Sequence, residues 1–453
     1  MEDLLITADW LVPVSSPPIE KGGVRVRDGR IAAVGPVVDV AVGACGARCL
    51  DLGRAALLPG LVNVHGHLEL TALRGYLEGP DFFAWIRKLT DAKYERLDGE
   101  QLLASARWGV AEATRAGVTT IGEVCDLGVS VRALTEGGLR AVAYQEVFGP
   151  DPARATSSLA GLEAKLEAHG EAAGPRVRLG VSPHAPYTVS SKLLRMVAEL
   201  AIERGLPTTI HAGESAAEGD FVRRGEGPFA DFLRRRGIEV EGAGSSTIGL
   251  LDKLGVLRCQ PLLVHCVDCD GDDLEKIASA GATIAHCPKS NAKLGHGIAP
   301  WREMRDRGIG IGVGSDGVIC NNAMDLFEEL RCAALLDRAR GVPAGAAPAP
   351  GARELLRAVT IDGARVLGFG EETGTIDAGK AADLCAVDLS GPHIGPVHDI
   401  ETAVVWSASA ADVSMTMVGG DVLWLDGRWT RWDLDELRAD VGRVPGVLRD
   451  RDP

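Results

Sequence analysis

The chain has 453 residues, more than one small core usually holds, and 46% of them are hydrophobic, so a large interior can be buried. Its 63 acidic against 48 basic residues give a net charge of −15. That balance excludes a surface built to grip a nucleic-acid backbone, which needs a basic field, but not a nucleoside, which carries no phosphate. The N-terminal MEDLLITADWLV has no basic segment followed by an apolar core and so reads as no signal peptide. No run reaches the roughly 18 apolar residues that span a bilayer. The expected location is cytoplasmic, where the ten scattered cysteines stay reduced. Cys266 and Cys269 have redox-pair spacing, but without a second pair or a thioredoxin-like context the spacing reads as coincidence.

In chain order, residues 4–14, 23–26 and 30–34 are short strand-like runs, with Asp28-Gly29 as a hairpin turn. Residues 57–64 form an apolar run, interrupted by Pro59 and Gly60, that suits a buried strand of a parallel sheet. Further strands are predicted at 118–123, 139–147, 177–183, 206–211, 261–265, 282–286 and 308–315. Helical patterns separate them at 99–116, 155–169, 190–204 (with Ser190 as N-cap), 219–236, 271–280 and 301–307, and helices at 324–338 and 352–367 follow. Residues 341–351, rich in Pro, Ala and Gly, read as a loop. Strand-like runs return at 382–387, 402–406, 414–418 and 422–424, punctuated by Gly419-Gly420 and Asp426-Gly427. The alternation predicts an α/β fold, a closed (β/α)8 TIM barrel over residues 57–371. One small β domain combines residues 1–56 with 372–430, and residues 431–453 form a tail. An open doubly wound sheet is the alternative, unsupported by any Gly-rich dinucleotide loop.

The polar residues gather where the predicted strands end, which in a barrel is the rim where active sites are built. The first strand ends in His65-Gly66-His67. Side chains two apart on a strand point the same way, so two imidazoles aim at one point, with Gly66 leaving room between them. The fourth strand runs into His184, the fifth into His211-Ala-Gly-Glu214, the sixth into His265, the seventh into His286, and the eighth into Gly314-Ser315-Asp316. Imidazoles with a carboxylate suit a borderline divalent metal that keeps one position open for water. The expected ligands are His65, His67, His211 and Asp316. Such a metal lowers the pKa of its water to near 7. Asp316 can also take that water's proton. His265 hydrogen-bonds the hydroxide or serves as a further ligand, and Glu214 shuttles a proton to a ring nitrogen and the leaving amine. For each histidine the plainer reading is a hydrogen-bonded residue at a strand end; their ordered series argues against it.

The motifs PGLVNVHGH, HAPYTVS, HAGES, LVHC, HCPKSNAKLGHGIAP, VGSDG with CNNAMDLFEEL, and GTIDAGKAADLCAVD follow in that order. Together they resemble the amidohydrolase superfamily, in the branch of S-adenosylhomocysteine, methylthioadenosine and aminodeoxyfutalosine deaminases, to which triazine chlorohydrolases are related. The resemblance implies one divalent metal per subunit, Zn2+ ahead of Fe2+, in a barrel with a β-sandwich made from both chain ends. It implies a small-molecule substrate whose amino-bearing ring carbon gains hydroxide and loses ammonia, no nucleic-acid or membrane partner, and a homodimer. It gives His184 a contact with the nucleoside and makes Trp85, in FFAWI, a pocket wall. Two departures stand out. Glu69 lies where many adenosine-type members have small or apolar residues, so it either binds a sugar hydroxyl or amine or is structural. Tyr94 or Glu95 falls where some members carry a ribose-binding Glu.

The expected function is therefore a metal-dependent aminohydrolase acting on a purine-type nucleoside or related aminated heterocycle. The rivals are a hydrolase of triazine or pterin rings and a non-catalytic barrel that binds a ligand. A zinc deaminase of the cytidine type is excluded because H-x-E with a later P-C-x-x-C is missing.

Overall fold

The computed structural model describes residues 3–42, 44, 46–78, 82–341 and 348–449. Eight parallel strands make the barrel: β1 (Leu61–Gly66), β2 (Val118–Cys125), β3 (Arg140–Val147), β4 (Val177–Pro183), β5 (Thr209–Ala212), β6 (Leu262–His265), β7 (Thr283–His286) and β8 (Ile311–Val313). They pair as two runs, β1 to β4 and β5 to β8. Parallel bridges between Val181 and Thr208 and between Gly66 and Asp316 join the runs at both seams. At the second seam the Asp316 N–H donates to the His65 carbonyl at 2.9 Å. Position 314 has to be glycine for this approach, since a Cβ there would stand 2.8 Å from the Cβ of His65. Closing the barrel thus brings Asp316 beside His65-Gly66-His67. In β1, Val62 packs outward on Gly363 of the helix Ile361–Val366, while Asn63 hydrogen-bonds Ser315 across the seam.

A nine-stranded sheet draws on both ends of the chain. The two contributions meet where Ala55–Pro59 pairs antiparallel with Leu384–Asp388. The sheet folds over its own core, with Leu4, Ile6, Val24 and Val26 packing among Leu384, Ala386, Met415 and Met417. The hairpin turn at one edge reaches back to the segment before Leu384–Asp388: the Gly29 carbonyl accepts from Ala382 N–H at 2.9 Å. Arg140, at the start of β3, fastens barrel to sheet through Asp383, Nε to Oδ2 at 2.8 Å, with the Asp383 side chain fully buried.

Several elements differ from expectation. Residues 57–64 are not one strand. Ala55–Pro59 belongs to the sheet and β1 to the barrel, with a turn at Gly60, where a Cβ would overlap Thr119. The run 402–406 lies in a helix, Ile400–Ser407, capped by Asp399 and burying Ile400, Ala403 and Val404 at helical spacing. A short apolar run has no period of its own, and packing decided it. The pattern 219–236 splits into Ala216–Arg224 and Pro228–Arg235 because Gly225 and Gly227 take φ of 67° and 90°. The pattern 352–367 splits into Ala352–Ala358 and Ile361–Val366. Helices Phe82–Asp91 and Val129–Gly137 were not anticipated. The loop expected at 341–351 falls largely on 342–347, outside the described residues. No helix among the described residues is long and apolar enough to cross a membrane.

Candidate active site

At the C-terminal rim, ligand atoms of His65, His67 and His211 lie within 4.8 Å of one another. Asp316 Oδ1 is 3.4 Å from His65 Nε2 and 3.5 Å from His67 Nε2. The four side chains expected to form one set are therefore together. Asp316 and His211 are held from behind. Ser290 donates to Asp316 Oδ2 at 2.5 Å, and the Gly317 N–H donates to Oδ1 at 2.7 Å. His211 Nδ1 lies 3.0 Å from the His184 carbonyl, so Nδ1 carries the proton and the Nε2 lone pair faces the other imidazoles. Both Glu123 oxygens accept from the Leu68 N–H at 3.0 Å, bracing the turn after His67. Asp316 and His265 have left-handed backbones, φ 58° and 76°. Such strain costs on the order of 1–3 kcal/mol and gathers at functional sites.

Burial drives the imidazole pKa values down, to about 4 for His65, about 3 for His67 and about 4 for His211. All three are neutral at neutral pH. Burial would raise the Asp316 carboxyl, but His65, His265 and His67 outweigh it and hold it well below the usual range. Among the described residues, neither ring nitrogen of the buried His65 has a hydrogen-bond partner. Three neutral imidazoles, one with both ring nitrogens unpartnered, and an anionic carboxylate fit a borderline divalent metal. Glu146, His184 and His211 form a second trio. It would need the same Nε2 of His211, and one lone pair serves one ion, so the set with Asp316 is the stronger candidate.

Glu214 stands beside this set. Tyr187 donates to its Oε2 at 3.0 Å, while His265 Nε2 and His296 Nε2 lie 3.6 and 3.4 Å from Oε1. Burial pushes its carboxyl up, but His265, His296 and His211 prevail and hold it at about 2. Its backbone is clamped by Glu218, which accepts from the Glu214 and Gly213 N–H groups at 2.8 and 2.9 Å. His265 Nδ1 lies 2.8 Å from Asn291 Oδ1, which turns its Nε2 toward Glu214. His286 goes elsewhere, packing edge-on to Trp301 at 5.1 Å.

The set opens into a cavity of about 760 Å³ whose lining includes His184, Glu69 and Trp85. The His184 ring lies against Phe148 at 4.9 Å, with its Nδ1 2.8 Å from Thr188 Oγ1. Trp85 stacks on Phe82 at 6.2 Å. Glu69 lines the cavity, but its oxygens accept from the N–H groups of Asp126, Leu127 and Val129 at 3.3, 3.2 and 3.1 Å. Those bonds anchor the entry to Val129–Gly137, in keeping with the structural one of the two readings given to Glu69. Sequence reasoning missed Tyr187, Glu218 and the contact of His296 with Glu214. Tyr187 and His296 sat in plain view inside HAPYTVS and LGHGIAP, but no local period aims a loop side chain.

Residues 56–423 match the amidohydrolase family. The chain belongs to that family. Among amidohydrolases it is 33% identical over 442 residues to a 5-methylthioadenosine/S-adenosylhomocysteine deaminase of Moorella thermoacetica, covering 97% of this chain and 98% of the relative. Its structure is similar to an adenosine deaminase from Xanthomonas campestris with bound zinc, at a TM-score of 0.84 and 28% identity, covering 99% of both chains. It shares its fold with the zinc complex of an atrazine chlorohydrolase from Arthrobacter aurescens, at a TM-score of 0.84 and 23% identity, covering 97% of this chain and 99% of that one. Amidohydrolases use a divalent metal, and the His-rich set is this chain's candidate for holding it.

Proposed function

We propose that this amidohydrolase removes an exocyclic amino group from a purine-type nucleoside or a related aminated heterocycle, with water as co-substrate and ammonia as product. The observation that carries the reading is the anionic Glu214, clamped by Glu218 and Tyr187, beside four metal-fitting side chains in one cavity. His65, His67, His211 and Asp316 would hold the metal, zinc ahead of iron(II), since imidazole and carboxylate suit both and the similar Xanthomonas structure was solved with zinc. A divalent ion there supplies Lewis acidity that makes water nucleophilic near neutral pH.

The chain's own groups move the protons. Asp316, held anionic, accepts a proton from the attacking water. Glu214, also anionic, takes up the other proton of that water and delivers it to the ring nitrogen next to the reacting carbon, which makes that carbon more electrophilic. Glu214 then relays the proton held by Asp316 to the departing nitrogen, so that the C–N bond breaks and neutral ammonia leaves. His265, fixed by Asn291, presents Nε2 to the reacting oxygen. His184 and Trp85 are placed to contact the ring. The balance is amine plus water to carbonyl plus ammonia. The test is ammonia release by zinc-loaded protein across purine nucleosides, nucleobases and pterins. Turnover of at least one amino-purine is expected; no turnover across the panel at full metal occupancy overturns the reading.

A further inference from the structure

On the β2–β3 side of the rim, away from Glu214 and His265, stands a carboxylate that the reaction does not use. Glu146, near the end of β3, is 4% exposed and lines the cavity. Its Oε1 is buried without a hydrogen-bond partner among the described residues. His184 Nε2, at 4.0 Å, is beyond hydrogen-bonding reach. Buried polar atoms are normally paired, and leaving one unpaired is costly. The neighbouring acids are all provided for. Glu69 takes three backbone N–H groups. Asp126 takes Lys93 Nζ at 3.2 Å, Lys165 Nζ at 3.1 Å and the Tyr94 hydroxyl. Lys93 is itself 8% exposed and lines the same cavity. Its ammonium has three N–H donors, of which the Asp126 contact occupies one. Lys93 and Glu146 attract one another electrostatically, yet among the described residues no ion pair joins them.

This pair discriminates between ligand types. A phosphate or carboxylate would be repelled by Glu146, and a bare cation by Lys93. A hydroxyl suits both, giving its hydrogen to a carboxylate and its lone pair to an ammonium. Burial raises the Glu146 carboxyl to about 8, so it meets a ligand as acceptor or as donor, and a hydroxyl matches either state.

We infer that Glu146 and Lys93 form a recognition pole for the hydroxyl groups of a sugar carried by the substrate, while Glu214 handles the ring. The inference rests on the nucleoside reading above, and its test separates the two. Zinc-loaded native protein, Glu146→Ala and the near-isosteric Glu146→Gln are compared on the best purine nucleoside substrate and on its 2′,3′-dideoxy analogue. Binding of unreactive inosine and 2′,3′-dideoxyinosine is measured by calorimetry. The preference for the diol, as a ratio of kcat/KM values, falls about 10- to 100-fold in Glu146→Ala, mainly through KM, and Lys93→Met moves it the same way. An unchanged ratio in variants that retain metal overturns the pole. So does an equal loss on both analogues, or loss of zinc from both Glu146 variants. If the native protein turns over no nucleoside, the deaminase reading fails by itself and calorimetry decides the pole. Inosine binding at least about tenfold tighter than its dideoxy form supports it, and equal or absent binding overturns it.

Discussion

Glu214→Gln isolates the proton relay from everything around it. Glutamine keeps the shape and still offers an oxygen to Tyr187, whose hydroxyl lies 3.0 Å from Oε2. It cannot carry a proton. Little else moves, because the backbone clamp is Glu218 on the Glu214 N–H at 2.8 Å, and His211 is anchored separately on the His184 carbonyl. The amide loses the attraction of two imidazoles 3.4 and 3.6 Å away, but it also escapes the desolvation that burial imposes on a carboxylate. Folding stability and metal content therefore stay near the native values. General acid–base catalysis is worth about 10²- to 10⁴-fold, or about 2.7–5.4 kcal/mol of barrier. The assay pairs a 6-aminopurine riboside with its 6-chloro counterpart and follows ammonia and chloride release. Ammonia needs a proton to depart and chloride does not. Ammonia release falls by about 10²- to 10⁴-fold, while chloride release, which loses only the ring protonation and not the proton for the leaving group, falls at least about tenfold less. Equal losses on both substrates, with full metal, would refute the relay.

Three further outcomes follow from the same geometry. Asn291→Ala removes the acceptor 2.8 Å from His265 Nδ1 and frees the ring to turn; kcat falls about 10- to 100-fold at unchanged metal content, and native activity would rule out that positioning role. Asp383→Ala leaves the buried Arg140 guanidinium with Glu372 alone, 3.0 Å away, at the junction of barrel and sheet; denaturant titration shows a loss of about 2–3 kcal/mol, and a loss below about 1 kcal/mol contradicts the fastening role. In metal-free protein, His65, His67 and His211 have folded pKa values of about 4, 3 and 4 against an ordinary 6.5. Between those values the unfolded chain binds more protons, so stability rises with pH. The contribution is complete above 6.5 and is lost as the pH falls toward the folded values. Urea midpoints drop between about pH 7 and about pH 5, and a flat profile disproves the assignment.

How much could be read without coordinates depended on how local each cause was. The alternation that predicts the barrel and the spacing of His65 with His67 are local, because strand geometry sends residues two apart to one face whatever the rest of the chain does. Strand ends carrying His184, His211, His265 and Asp316 were visible for the same reason, since a buried parallel strand is apolar until it reaches the rim. Boundaries set by packing were not visible. Gly60 divides an unbroken apolar run because the two halves pair with different sheets, and residues 400–407 are helical because their apolar stripe meets other helices.

The sequence by itself determined which polar side chains stand at the strand ends and in what order they follow around the rim. Only the tertiary structure decided which of them meet. The seam at Gly66 and Asp316 closes the site, and loop packing delivers Tyr187 and His296 to Glu214. It also committed Glu69 to backbone N–H groups and left Glu146, which lines the cavity, with a buried Oε1 that has no hydrogen-bond partner among the described residues. The physical reason is range: the direction of a side chain is set by its own backbone, whereas its partner is set by barrel closure between segments far apart in the chain.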